Sequence, residues 1–319
     1  ETRIISMGNA STAFGELAVA ENTPTTGWTF AYNLNTDIVV TSTTSAGTVT
    51  QENGMAKVST GASASSSAEV ETLRVLRYLP GQGGLARYTA VFEDGCVAGS
   101  EQVIGIGDDN DGFFFGCNGA DFSVLRRQSG SDNWTALADW NEARNASIDD
   151  QIDITKGNVY QIRYQWLGFG AIEFSIENAA GEYELVHRIL YANQNTIPSI
   201  ANPVLPIMMK VENTSNTTDL VMYSPSALGA LEGKCMDACN PLTLYRSQDI
   251  TQTLISTEEP LISLQQPTTY QSVNNRIRSQ IVSVSVAAEG TKSTIFRVYK
   301  NGSLTGESFS NWNVDVSPI

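Results

Sequence analysis

Asp108, Asp109, Asn110 and Asp111 put three carboxylates and one amide oxygen on a stretch bounded by Gly107 and Gly112. Oxygen donors clustered on a tight loop suit a hard cation such as Ca²⁺. The spacing is not that of an EF-hand, whose loop needs a Glu at its twelfth position. Asp, Asn and Gly are also the residues that a hairpin turn selects for backbone reasons, so a solvated turn accounts for the same letters. Asp108, Asp109 and Asp111 are the metal candidates, and Ca²⁺ is the one cofactor these residues suggest.

The other reactive residue types are sparse. His187 is the single histidine. Any Ser-His-Asp or Cys-His site has to use it, yet no G-x-S-x-G elbow accompanies it, and its patterned surroundings read as a strand. Cys96, Cys117, Cys235 and Cys239 are too few for a disulfide scaffold in a chain this long and read as buried free thiols. A Cys235–Cys239 bridge would close only a small loop. Zinc is not supported, because Cys235 and Cys239 lack a second ligand pair at usable spacing. Glu173 and Glu177 share the polar face of one strand, where residues four apart lie roughly 13 Å from each other. Glycoside hydrolysis uses carboxyl groups roughly 5 to 9.5 Å apart, so this pair is a poor acid/base couple. Trp134 and Trp140 sit in a polar segment and are the candidates for a ligand or partner surface. Sequons occur at Asn9, Asn133, Asn145, Asn213, Asn216 and Asn301.

The composition excludes some partners. The formal net charge is −15 and no Lys/Arg cluster is visible, which argues against nucleic acid and against an anionic membrane surface. No apolar run approaches the roughly 20 residues of a membrane helix, so membrane insertion is not expected. Charged residues make up 17% of the chain, and Ser, Thr, Asn and Gly fill the difference from the usual share of about 25%. That is a strand-and-turn composition.

The elements that must position these residues are strands. In residues 158–177, Tyr160, Ile162, Tyr164 and Trp166 alternate with Gln161, Arg163 and Gln165. After Leu167-Gly168-Phe169-Gly170, the alternation resumes at Ile172, Phe174 and Ile176. Two period-2 runs joined by a Gly-containing link predict a β-hairpin with one buried face. Residues 101–106 and 112–117 predict a second hairpin, with the acidic loop at its tip. Residues 133–144 (NWTALADWNEAR) hold the one plausible helix. The spacing of the remaining runs predicts an all-β chain of two packed antiparallel sheets. Residues 1–24 read as an N-terminal arm or linker, 25–233 as a large β-sandwich domain, 234–241 as a linker, and 242–319 as a small C-terminal β domain. Within the last, residues 277–287 and 294–300 are the best strand candidates.

Several motifs together resemble a known group. They include Arg77-Tyr78-x-Pro80-Gly81-Gln82-Gly83-Gly84 and Ser100-Glu101-Gln102-x-Ile104-Gly105-Ile106-Gly107-Asp108. Asp111-Gly112-Phe113-Phe114-Phe115-Gly116, Leu125-Arg126-Arg127, Lys156-Gly157-Asn158-Val159-Tyr160-Gln161 and Gln165-Trp166-Leu167-Gly168-Phe169-Gly170-Ala171-Ile172 belong to the same set. The set resembles virion-surface or fibre proteins of large double-stranded DNA viruses and tailed phages. The likeness spans about residues 28–233, with a further match in 276–306. The main domain is also similar to a concanavalin-like sandwich of the lectin or laminin-G type, in which sugar and calcium sites lie on loops.

The resemblance implies a structural or attachment protein of a virion, placed on the virion surface or outside the cell. Such a protein acts by self-assembly and surface recognition, without chemistry. The implied partners are further copies of the chain or other virion proteins, and glycans. The alternative function is a carbohydrate-binding module, with or without calcium.

Overall fold

The computed structural model describes residues 21–142 and 152–233, together with 260, 262–265, 267–270, 273–275, 284 and 295–299. The chain divides into two compact units, Glu1–Asn240 and Pro241–Ile319. The first unit is all-β, and its strands form two antiparallel sheets.

The nine-stranded sheet follows the path β13 (Tyr183–Ile189), β12 (Ile172–Glu177), β11 (Asn158–Tyr164), β6 (Gly83–Phe92), β15 (Val221–Ser224), β4 (Met55–Ser59) and β3 (Thr48–Glu52). It forks at β6. The first half of β6 pairs with β16 (Ser226–Glu232), which carries β1 (Asn22–Thr29) on its far edge, and the second half pairs with β15. The seven-stranded sheet has the order β10 (Ser131–Ala136), β9 (Asp121–Gln128), β8 (Gly112–Asn118), β7 (Ser100–Gly107), β14 (Ile207–Asn213), β5 (Ser67–Thr72) and β2 (Val39–Thr44). β1 begins inside the stretch read from sequence as an arm. It tolerates Pro24, which has no N–H to give a ladder, because the register shifts between Pro24 and Thr26.

The core lies between the two sheets. On β11 the inward residues Tyr160, Ile162 and Tyr164 are buried, and across from them stand Phe113, Phe115 and Cys117 of β8. The Phe115 ring lies 4.9 Å from Tyr160 and 5.4 Å from Phe174, and Phe113 lies 5.3 Å from Tyr164. These tilted and edge-on contacts join one sheet to the other, and their geometry is what aromatic quadrupoles favour. Trp166 lies past the end of β11, packed at the core margin, and its indole N–H donates to the Ile200 carbonyl (3.2 Å).

Both expected hairpins are present: β11 pairs with β12, and β7 pairs with β8. Leu167 and Gly168 both take positive φ (37° and 81°) to make the first turn. The expected helix at 133–144 is absent from its described part. β10 runs through Trp134, and only a single 3-10 turn, Leu137–Asp139, follows. The cause lies just upstream. Ser129 and Gly130 both have positive φ (48° and 76°), a two-residue turn that folds the chain straight back onto β9 and makes residues 131–136 a strand.

The reading of the cysteines as free thiols is corrected for two of them. Cys96 and Cys117 form a disulfide that spans 21 positions of sequence. Cys117 is fixed in the core by the β7–β8 register opposite Gln102, whose side-chain amide donates to the Gly95 carbonyl (2.7 Å) and draws in the loop that carries Cys96. Cys235 and Cys239 lie outside the described residues. In the second unit, β17 (Thr269–Tyr270) and β18 (Val273–Asn274) form a two-stranded antiparallel pair. Residues 295–299, expected as strand, have no regular secondary structure, and the predicted strand at 277–287 falls almost wholly outside the described residues.

Candidate functional site

The acidic loop forms the tip of the β7–β8 hairpin. Asp108 is buried, and its Oδ1 accepts the backbone N–H of Asn110 (2.7 Å) and of Asp111 (2.8 Å). Asp111 is 4% exposed. Its Oδ1 accepts from the N–H of Ser129 (3.1 Å) and Ala201 (2.8 Å), and its Oδ2 from that of Asn202 (3.2 Å). Asp109 points elsewhere, to the Lys210 ammonium at 2.9 Å. The three carboxylates are thus directed to separate partners. Among the described residues, no group of three or more His, Cys, Asp or Glu is placed to hold a metal ion. The chemistry Asp111 performs is structural: it ties the β9–β10 turn and the 201–202 segment to the hairpin tip.

Beside this loop, β5 and β14 place Glu69 opposite Lys210. Burial pushes the Glu69 carboxyl up to about 7, helped by the charge of Asp109 and opposed by Lys210. Burial works against the Lys210 ammonium, but its hydrogen bond with Asp109 holds it above its ordinary value. The Arg127 guanidinium bridges Asp132 (2.6 Å) and Glu101 (2.9 Å) and lies over the Phe114 ring.

The two tryptophans proposed as a surface separate in the structure. Trp140 is 5% exposed and lies in the core against Phe115 and Phe122, so it offers no platform to a ligand. Its place follows from the β9–β10 turn, which brings the end of β10 to the open margin of the core. Trp134 is half-buried on the opposite face of the seven-stranded sheet, packed against Val103, Phe114, Leu125 and Met208. His187 is buried beside Phe174, and burial lowers its basicity. Among the described residues its Nδ1 has no hydrogen-bond partner, so none of their carboxylates orients it as a base through that atom. The sequon residue Asn213 is fully buried, and the two protons of its amide nitrogen are shared among oxygens of Thr60, Gly61, Ser63 and Thr218, the shortest contact being with the Thr218 carbonyl (2.9 Å). It is therefore no glycan acceptor in the folded protein.

A built polar groove lies on the outer face of the nine-stranded sheet. Its volume is ≈ 310 Å³, at the low end for small-molecule sites, and it is lined by Asn22, Leu85, Arg87, Gln161, Arg163 and Glu232. Period-2 geometry turns Leu85 and Arg87 of β6, and Gln161 and Arg163 of β11, away from the core. The register then sets Leu85 beside Arg163 and Arg87 beside Gln161. Leu85 is 2% exposed and forms an apolar floor. Arg163 Nε donates to Glu232 Oε1 (2.6 Å), and the Arg163 guanidinium reaches Glu173 at 3.8 Å. Glu173 is also held by Arg188 (3.1 Å), which pairs in turn with Glu142 (2.9 Å). The Glu232 carboxylate lies over Gly83, where a Cβ would collide with it. Glu173 and Glu177 do share the outer face of β12, but the two arginines hold Glu173 as a structural ion pair.

No single stretch of sequence carries this groove, because its lining comes from four strands, β1, β6, β11 and β16. The available signal was the polar half of the alternation in 158–165, which points Gln161 and Arg163 to one side.

No known protein family matches the chain in sequence, and no curated protein is significantly similar to it. Solved structures with a similar arrangement include a glycosyl hydrolase family protein from Mycobacterium fortuitum (10% identity, 63% of this chain and 95% of that one, TM-score 0.43). Lectin I-B4 from Griffonia simplicifolia, in its metal-free form, is another (9% identity, 64% and 98%, TM-score 0.37). The botulinum neurotoxin serotype C1 binding domain is a third (11% identity, 63% and 45%, TM-score 0.37). These likenesses concern general architecture, and no residue role is transferred from them.

Proposed function

We propose that this protein is a non-catalytic attachment protein of a virion whose large sandwich recognises a saccharide. The observation that carries the reading is the polar groove on the nine-stranded sheet. A hydroxyl-rich ligand needs paired donors and acceptors held in place around a small apolar floor. Asn22, Gln161, Arg87, Arg163 and Glu232 around Leu85 supply that combination. The Cys96–Cys117 disulfide fits an extracellular or virion-surface location, since such bonds persist in oxidising surroundings. The virion setting follows from the motif resemblance. Self-association into a homo-oligomer, or contact with other virion proteins, belongs to the same reading.

The test is a glycan array probed with the full chain, with and without a calcium chelator. Binding that survives the chelator is expected, because the carboxylates of the acidic loop are directed to backbone donors and Lys210. Blank arrays would remove the saccharide reading. Light scattering on the same sample tests assembly, and a strict monomer that does not associate with particles would count against the virion role.

A further inference from the structure

Resting on the saccharide reading, we infer that the groove selects a saccharide unit bearing a carboxylate, with Arg87 as its anchor. The two guanidinium groups of the groove differ in one respect. Arg163 is neutralised by Glu232 and Glu173. Arg87 donates through Nε to the side-chain amide oxygen Oε1 of Gln161 (2.7 Å), and its guanidinium carbon lies 5.1 Å from the centre of the Tyr183 ring. Both contacts fix the plane of the guanidinium, yet no carboxylate among the described residues lies within ion-pair distance of it. One face of the plane is taken by the ring and one edge by Gln161, which leaves the terminal nitrogens for a ligand. A planar guanidinium held in this way matches a carboxylate through two parallel hydrogen bonds.

Charge favours the same ligand. The acids beside the groove, Glu232 and Glu173, are both turned to Arg163, so Arg87 is the lining cation left to attract an anion in a chain of net charge −15. An acid-bearing ligand is repelled by most of such a surface and gains attraction at a cation whose charge no acid already takes up, which makes the groove selective by position. Gln161 is 7% exposed and already oriented by Arg87. Its amide, with Asn22 and Glu232, is left to meet the sugar hydroxyls. Arg87 itself is exposed, so its replacement does not open the core.

The experiment compares uronic- and sialic-acid-terminated glycans with their carboxyl-reduced counterparts on an array, followed by titration of the tightest pair. The expected result is acid-terminated binding at least about tenfold tighter than that of the reduced partner, falling as salt rises. Arg87→Gln should erase the difference and Arg87→Lys should restore part of it, both with unchanged melting temperature and circular dichroism. Acid and reduced glycans bound equally would overturn this inference and leave the saccharide reading standing. No binding of either kind would overturn both. An acid preference that persists in Arg87→Gln would also overturn the inference, since Arg87 would then not be the anchor.

Discussion

Asp111→Asn separates a structural carboxylate from a metal ligand. In the folded protein the Asp111 carboxylate is almost fully buried and accepts three backbone N–H groups from two segments that are distant in sequence. Hydrogen bonds to a charged acceptor are worth about 1.5–3 kcal/mol each, and an unsatisfied buried donor costs about 1–3 kcal/mol. Asparagine keeps one acceptor oxygen, which can still receive the Ser129 and Ala201 donors in weaker, neutral form. Its NH₂ then faces the Asn202 N–H, donor against donor. The loss of charge assistance together with that clash sets the expected cost at about 2–4 kcal/mol. The assay is urea unfolding at pH 7, followed by tryptophan fluorescence, with and without millimolar CaCl₂. The expected result is a lower midpoint for the variant and no calcium-dependent shift in either protein. A variant within about 0.5 kcal/mol of the parent would refute the energetic argument. A calcium shift present in the parent and lost in the variant would restore the cation reading of the loop.

Glu69 makes a pH prediction. Its carboxyl is raised from 4.5 to about 7, so its contribution to stability is fully present below pH 4.5 and is lost as pH rises through 7. Glu69→Gln should therefore match the parent near pH 4.5 and exceed it at pH 8 by up to about 3 kcal/mol in urea unfolding; an equal gain at both pH values would show that the effect is not ionic. Replacing Cys96 and Cys117 together by Ala opens a loop of 21 positions and should cost about 3 kcal/mol, and the parent with dithiothreitol should show the same loss. Trp140→Ala removes a core ring against Phe115 and Phe122 and should cost about 3–5 kcal/mol while leaving glycan binding per folded molecule unchanged. Lost binding in a folded Trp140→Ala protein would return that residue to the ligand surface.

The sandwich was legible where side chains alternate without interruption. Tyr160, Ile162 and Tyr164, and then Ile172, Phe174 and Ile176, can be buried together only if both runs are strands of one hairpin, since a helix would spread them around its circumference. The β7–β8 hairpin was legible for another reason: two short apolar runs flank a Gly- and Asp-rich turn, and both of its strands are buried on both faces. The strand at Ser131–Ala136 was not read, because Ala, Leu, Glu and Arg in 133–144 favour a helix locally, whereas two residues of turn at Ser129-Gly130 decide the outcome by committing the chain to pair with β9. That Ser-Gly step was visible in the sequence and is the signal that propensity outweighed.

By itself, then, the sequence determined the class of fold and which side of the alternating strands, such as β11 and β12, faces the core, since both depend on periods of two residues along a single run. Tertiary structure alone decided which distant residues meet. Asp111 receives donors from positions 129, 201 and 202, Cys96 reaches Cys117, Trp140 turns inward, and Arg87 stands beside Gln161 with no acid among the described residues to pair with. The physical reason is that pairing register acts across strands far apart in the chain. A shift of one residue would exchange every inward side chain for an outward one, and with it the floor and the rim of the groove.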